Sequence, residues 1–537
     1  MKAFAELLDR LSWTGGRNAK LRLIADYLKT TPDPGRGYAL AILTGDLDLG
    51  DARPGLIRKL IAERTDPTLF ALSYDYVGDL SETVALLWPA PHTRANADLS
   101  LGDVVERLRE TGRAMLPGVI AECLDRLDET GRWAFLKIIT GALRIGVSAR
   151  LAKTAAGMIG DKAADEIEEV WHALAPPYRD LFDWIEGRID AIATKDAIAF
   201  RPPMLAHPLE REDLAALDPA DFAVEWKWDG VRAQIVSDGR GGAALYSRTG
   251  ENMSRAFPDL AQGLCVGHAA LDGEVLVVRA GAILPFSALQ QRLNRKTPGV
   301  KLMADLPGHF RAYDILSLDG EDLRALPLSA RRARLEEFAR TIAAPCFSLS
   351  PLTDARTHAQ IAAARMNPAA FGAGADGPAV EGLMLKRWDS PYLPGRPRGL
   401  WWKWKRDPFE VDAVLMYAQR GHGKRSSFYS DYTFGVWRAG ALVPVGKAYS
   451  GFTDEELARI DRFVRANTTN RFGPVREVRH EPERGLVFEV AFEGLNRSAR
   501  NKSGLAMRFP RIARIRWDKH PKDADRIETL ERMLDPA

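Results

Sequence analysis

The stretch Val224-Glu225-Trp226-Lys227-Trp228-Asp229-Gly230-Val231-Arg232 decides how the rest of the chain reads. A lysine set in an apolar, β-prone run and followed at once by the turn-forming pair Asp229-Gly230 belongs at the end of a strand, facing a cleft. Its amine is then a candidate nucleophile. An ammonium has no free lone pair, so the group must lose its proton near neutral pH, which desolvation by the flanking tryptophans and nearby cations would favour. Taken alone, K-x-D-G is more often a hairpin turn with one solvated lysine.

The remainder of the chain changes that balance. In order come Ser247-Arg248-Thr249-Gly250, Leu271-Asp272-Gly273-Glu274-Val275, Ala312-Tyr313-Asp314-Ile315, Glu381-Gly382-Leu383-Met384-Leu385-Lys386, Trp401-Trp402-Lys403-Trp404-Lys405 and Arg508-Phe509-Pro510-Arg511, the last running on to Arg516-Trp517-Asp518-Lys519. Together these resemble the ordered motifs of the covalent nucleotidyltransferases, and among them the ATP-dependent DNA ligases. The E-G-L-M-x-K and R-F-P-R forms resemble DNA ligases more than mRNA capping enzymes.

With 537 residues, roughly two to four domains are expected at about 100–200 residues each. A hydrophobic share of 46% with 27% charged residues is that of an ordinary globular protein, with no repeat or disorder signature. The formal charge is only +3, so a nucleic-acid partner has to be argued from local basic patches. Cys123, Cys265 and Cys346 are too few and too far apart for a disulfide framework or a four-cysteine zinc site, which fits a reducing cytoplasm. Met1-Lys2-Ala3-Phe4-Ala5-Glu6 lacks a signal-peptide core, and no apolar run reaches the length of about 18 residues that spans a membrane. A cytoplasmic, nucleoid-associated monomer is expected.

To about residue 197, apolar residues recur at helical spacing: Leu21, Ile24 and Leu28; Val104, Val105 and Leu108; Ile120, Leu124 and Leu127. Gly112 and Gly131 follow such runs as left-handed helix stops would. An all-helical domain is expected over 1–197. Within it, Phe135–Ser148 ends in glycines and small residues that would let backbone approach a partner, while plain helix packing with a solvated Arg144 is as good an account. The run Leu143-Arg144-Ile145-Gly146-Val147 resembles a segment of the helical DNA-binding domain that precedes the core in larger ATP-dependent DNA ligases. The resemblance makes Arg144 and Arg150 DNA-backbone candidates, with Lys137 and Lys153 as weaker neighbours.

Phe200-Arg201-Pro202-Pro203 breaks the helical pattern and opens an α+β core over 198–405. Strands are expected at Val224–Lys227, Arg232–Ser237, Ala244–Ser247, Ala270–Val278, Arg311–Leu316 and Gly382–Arg387, and helices at Arg331–Thr341 and Ala355–Met366. If Lys227 attacks the α-phosphorus of ATP, pyrophosphate leaves and AMP stays on the amine. The phosphoryl oxygens then need positioned cations. Lys403 and Lys405 are two apart on a strand and share a face, leaving Trp402 and Trp404 the other. Glu274 and Glu381 are candidates for Mg²⁺, or Mn²⁺, because a hard cation keeps several waters and needs only one or two carboxylates; structural salt bridges are the lesser alternative. The resemblance assigns Glu225, with the Trp226 backbone, to the adenine edge and Tyr313 to stacking on the ring. It assigns Arg232 and Arg248 to ribose and phosphates, and it places Lys386 at the nucleotide. Arg292, Arg295 and Lys296, in a mixed apolar and basic segment, either track a DNA backbone or form a solvated helix face.

Over 406–537, short strands such as Val411–Tyr417, Tyr432–Trp437 and Leu486–Phe492 alternate with glycines, and Thr453 with Glu456 forms a capping box before Leu457. An OB-fold β-barrel is compatible with this pattern. Arg497–Lys519 carries eight Lys or Arg against one Asp. In the family this terminal motif orients the pyrophosphate, which makes Arg511, Arg516, Asp518 and Lys519 candidates. Gly421-His422-Gly423-Lys424-Arg425-Ser426 is not a P-loop, because Ala418 and Arg425 break G-x-x-x-x-G-K-[ST].

The expected function is sealing of nicked double-stranded DNA with ATP, through lysyl-AMP and an adenylated 5′-phosphate. An NAD-dependent ligase would need the missing zinc site. An RNA ligase, a capping enzyme, a non-catalytic nick-binding module and a Schiff-base lysine enzyme fit the motif set less well. The pattern as a whole resembles the bacterial ligases of the cisplatin-damage-response type, which implies DNA repair beside a Lhr-type helicase and a nuclease.

Overall fold

A computed structural model describes residues 1–89, 99–192, 199–265, 267–295, 297–421, 428–498 and 501–534, apart from the side chains of 75, 76, 211 and 212. Lys296 and the stretch His422–Ser426 lie outside the described residues. Contacts divide the chain into two units: residues 1–159, 176–182 and 408–537 form one, and 160–175 with 183–407 the other. The division departs from a boundary at 197. His172 packs its ring 5.2 Å from Phe200 and 5.1 Å from Tyr246, so this connecting segment is bound into the core that follows it.

Every described element before His207 is a helix. Leu21, Ile24 and Leu28 form the buried stripe of Arg17–Thr30, as their spacing predicts. The glycine stops fall elsewhere than expected. Gly131 lies in the first turn of Glu129–Thr140, where its N–H donates to the capping Asp128 carboxylate at 2.8 Å, and the helix before Gly112 ends on an extended Thr111. The left-handed caps are Gly45, Gly78 and Gly141.

The second unit is built on two sheets. One runs in the order His207–Pro208, Trp401–Lys405, Val380–Arg387, Phe222–Trp228. The other runs Ala243–Ser247, Val231–Asp238, His268–Arg279, Gly308–Leu318, Glu321–Asp322, with Phe347–Leu349 parallel to Gly308–Leu318. Leu328–Thr341 and His358–Met366 are helices, close to their expected limits. Alternation along the first sheet is strict where it matters. Trp226, Trp228, Leu383, Leu385 and Trp404 bury one face in a single apolar cluster, with Trp402 packed against it. Glu225, Lys227, Lys403 and Lys405 therefore share the opposite face.

In Pro408–Ala537 the long strand Phe409–Arg420 pairs with Tyr429–Arg438 at one edge. At its other edge it pairs first with Val487–Phe492 and then with Val475–Val478. The Arg511–Arg516 strand lies on Val487–Phe492. Helix Asp454–Ala466 carries the expected capping box: Glu456 N–H donates to Thr453 Oγ1 at 3.2 Å, and Thr453 N–H to Glu456 Oε2 at 2.8 Å. Leu457, Ile460 and Val464 are the helix's buried apolar face, and Ile460 and Val464 pack in the core with Tyr432, Phe434 and Phe488.

Candidate active site

Lys227 stands near the end of its strand, opposite Gly382, and hydrogen-bonds Glu381 Oε1. Lys405 Nζ approaches the other oxygen of the same carboxylate at 3.4 Å. Glu381 reaches this face through a break in pleating. The pairing shifts register between Val380 and Gly382, leaving Glu381 as the extra residue of a bulge, a device that re-aims a side chain. Gly382 permits it, with φ +149° and no room for a Cβ, which would lie 2.3 Å from the Trp404 carbonyl oxygen.

The environment of the amine is polar. Trp226 and Trp228 turn into the core on the far face, so they do not desolvate Lys227 as the sequence suggested. Burial, followed by the charges of Lys227, Lys405, Arg396 and Arg248, pulls Lys403 below its ordinary range, the signature of crowded cations. Arg248 projects from the Ser247–Gly250 turn and is lowered by burial and then by Arg232 and Arg396. Arg396, in the loop before Trp401, is a basic residue that the motifs did not single out.

Across from this lysine cluster, Glu274 sits opposite Arg232 on one neighbouring strand and Arg311 on the other. Burial pushes its carboxyl up to about 8, with Lys227 opposing the rise and Glu381 adding to it. Glu274 and Glu381 thus face one region, and burial is the main cause of the rise at Glu274. Among the described residues no group of three or more metal-ligating side chains occurs; Glu274 and Glu381 offer oxygen donors alone, the kind a hard cation takes together with water and phosphate.

Arg232 is fixed before any ligand arrives. Its guanidinium spans Asp272 with bonds of 3.1 and 2.6 Å and donates to the Met204 carbonyl at 2.8 Å. Tyr392, fully buried, donates its hydroxyl to the same Asp272 at 2.7 Å. Burial works against the Arg232 charge, but Asp272 outweighs it and holds the group well above its ordinary range. Neither Asp272 nor Tyr392 was singled out by sequence, although Asp272 precedes Glu274 by two residues in a quoted motif. Tyr313 lies on the adjoining strand, its hydroxyl held well above its ordinary range by burial and then by Asp272. Lys386 is buried and pairs with the buried Glu225 at 2.7 Å.

The DNA-contact candidates separate. Arg292 is fully buried: it binds Asp259 at 2.7 and 3.2 Å and the carbonyls of Leu306 and Ala256 at 2.7 and 2.9 Å. Buried, with both Nη atoms bonded inside the fold, it cannot track a phosphate backbone, which corrects the sequence assignment; Arg295 beside it is exposed. Lys137 is likewise internal, bonded to Asp79 at 2.6 Å, and Lys153 is buried. Arg144 is half-exposed at φ +52°, 3.7 Å from Asp79, and Arg150 is exposed.

In the C-terminal part, Arg511 is exposed on its strand, whereas Arg516 and Lys519 converge on one carboxylate that no motif flagged. Asp412 Oδ2 accepts from Lys519 Nζ at 2.6 Å and from Arg516 Nη1 at 3.3 Å. Arg516 also pairs with Asp518 at 2.8 Å, and this hydrogen bond holds the Asp518 carboxyl down to about 2.

Comparison with known proteins agrees along the whole chain. The DNA ligase N terminus model matches residues 1–156, the ATP dependent DNA ligase domain matches 203–405, and the ATP dependent DNA ligase C terminal region matches 425–519. A "Probable DNA ligase" of Koribacter versatilis is 30% identical over 99% of this chain and 96% of its own length. DNA ligase 1 of Korarchaeum cryptofilum is 28% identical over 100% and 98%. The solved structure Pmar-Lig_Pre, 14% identical, has a TM-score of 0.60 over 96% of this chain and 99% of that one, a likeness of fold. With three family segments in order and a relative matched from end to end, the chain belongs to the ATP-dependent DNA ligases.

Proposed function

We propose that Lys227 is the nucleophile with which this ligase takes AMP from ATP before sealing a nick in duplex DNA. The observation that carries the assignment is the meeting of Lys227 and Lys405 on the bulge carboxylate Glu381. Glu381 is placed to accept the proton that the Lys227 ammonium must lose, which frees the lone pair for attack on the α-phosphorus. As the N–P bond forms and the bond to pyrophosphate breaks, Lys403 and Lys405 meet the phosphoryl oxygens. Arg232, locked on Asp272, and Arg248 serve ribose and phosphates, and Tyr313 stacks on the base beside Glu225 and the Trp226 backbone. Glu274 and Glu381 would hold Mg²⁺ or Mn²⁺, which when bound neutralises phosphate charge. Transfer of AMP to the 5′-phosphate of the nick, and its displacement by the 3′-hydroxyl, complete the reaction.

The helices of 1–197 would serve as a DNA-binding domain with Arg144 and Arg150 at the backbone, and 198–405 as the adenylation domain, with Arg295 as its own backbone contact. We assign 406–537 to an OB-fold whose Arg511, Arg516, Asp518 and Lys519 orient pyrophosphate. Its long strand, paired with different partners along its length, supports that assignment. We further place the enzyme as a monomer at the nucleoid in the cytoplasm, in repair with a helicase and a nuclease, on the form of its motifs.

Incubation with α-labelled ATP and magnesium tests the central step. Acid-stable label is expected on the wild type and not on Lys227→Ala. Label that persists on Lys227→Ala, or sealing of a nicked duplex that needs NAD in place of ATP, would overturn the assignment.

A further inference from the structure

Lys386 and Glu225 form an ion pair at 2.7 Å on the site face, with both residues almost wholly withdrawn from solvent, at 1% and 2% exposure. A buried pair of this kind is seldom kept for stability, since desolvating two charges offsets most of their attraction. Its placement is what distinguishes it. The Lys386 ammonium lies 4.4 Å from the centre of the Tyr313 ring and 4.5 Å from that of Trp401, a cation held between two aromatic faces. Glu225 is two residues from Lys227 on the same strand and the same face. Among the described residues no other charged side chain pairs with Glu225.

We propose that Lys386 is a specificity-determining residue that acts through Glu225, and that the pair selects a purine bearing an amino group at C6. The inference rests on the assignment of Glu225 to the base edge. An ionised carboxylate offers acceptors only. Beside a fixed ammonium, Glu225 therefore accepts from the 6-amino group of adenine and meets the 6-oxo group of guanine or hypoxanthine with lone pairs opposed. Without that ammonium nothing fixes the carboxylate's lone pairs on the base edge, and the distinction weakens. Lys386 need not touch the nucleotide to decide which one is used.

The test compares transfer of label from α-labelled ATP and α-labelled inosine triphosphate, which exchanges the 6-amino group for a 6-oxo group. Charging of the full-length enzyme is followed as kcat/KM for each. Lys386→Met is expected to lower the ATP-to-ITP preference by about tenfold or more, the scale of a charge-assisted hydrogen bond. Glu225→Gln, whose amide both donates and accepts, is expected to lower it in the same direction and stands in should Lys386→Met melt early. A fall in both activities with the preference unchanged in either folded variant overturns the proposal, because a merely structural pair would be blind to C6. Failure of the underlying mechanism looks different: the wild type then takes no label, or Lys227→Ala takes it.

Discussion

Asp412 is the acid that no motif announces, and Asp412→Asn isolates its part in the first step. The substitution keeps the side chain's size and leaves untouched the two backbone bonds of residue 412: its N–H to Asp525 Oδ2 at 2.8 Å, and its carbonyl, which accepts from Asp525 N–H at 2.9 Å. What disappears is the negative charge on which Lys519 and Arg516 converge at 2.6 and 3.3 Å. Asp412 is mostly shielded, its side chain 13% exposed, so solvent screens the pair only in part. A hydrogen bond to a charged group contributes about 1.5–3 kcal/mol. Loss of about 2 kcal/mol of cation positioning corresponds to a rate effect of about 30-fold at about 1.4 kcal/mol per tenfold. Self-adenylation from ATP, measured as single-turnover transfer of label, is expected to fall by that factor in Asp412→Asn. Sealing of a nick already carrying its 5′-adenylate, a step from which pyrophosphate is absent, is expected to stay within about threefold, the size of effect left to indirect perturbation. Equal loss in both assays would refute the reasoning, because the carboxylate would then serve the fold and not the leaving group. Unchanged charging from ATP would refute it as directly.

Three further outcomes follow from the geometry. Arg292→Ala removes a fully buried guanidinium from a pair whose carboxylate is only partly shielded, and is expected to cost about 3 kcal/mol in denaturant unfolding, the low end for breaking a buried pair; the salt dependence of nicked-DNA binding should be unaltered, and a reduced salt slope would return this residue to the DNA interface. His309 is held down to about 4 by burial and then by Arg311, so the unfolded chain takes up a proton between about pH 6.5 and 4 that the folded chain refuses. Stability contributed by neutral His309 is thus complete above its ordinary value and lost as pH falls through that window, by up to about 3 kcal/mol. In His309→Gln the acid limb of a melting-temperature profile should flatten by that amount, and an unchanged limb would count against it. Gly382→Ala would seat a Cβ 2.3 Å from a carbonyl oxygen and is expected to abolish charging and lower the melting point together; a variant that folds and charges normally would show that the bulge is dispensable.

The strand that bears Lys227 was legible because Val224, Trp226 and Trp228 alternate cleanly with Glu225, Lys227 and Asp229, and the helix at Asp454 because Thr453 and Glu456 announce it. Lys227, Lys403 and Lys405 could be placed on one face by parity alone. Glu381 could not: strict alternation puts it among the tryptophans, and only the register shift turns it toward Lys227. Arg292 misled for a different reason. A basic residue in an amphipathic helix reads as solvated, and its burial depends on Asp259, 33 positions upstream, which leaves no local trace. Asp272 and Asp412 escaped notice likewise, since each acts by pairing with a cation supplied from a distant segment, and Tyr392 because its partner is Asp272, 120 positions away. Gly131 reads as a helix end because a glycine after apolar residues looks the same whether it closes one helix or opens the next.

The bulge at Glu381 ties the chemistry to the architecture at a single point. Were residue 382 unable to hold its conformation, the sheet would regain its regular parity and carry the acid into the apolar layer beneath, stranding two ammonium groups above and an uncompensated charge below. Catalytic competence and assembly of the sheet would then be lost in the same event. Variation at this position therefore has no graded path: the dipeptide must change as a unit or not at all.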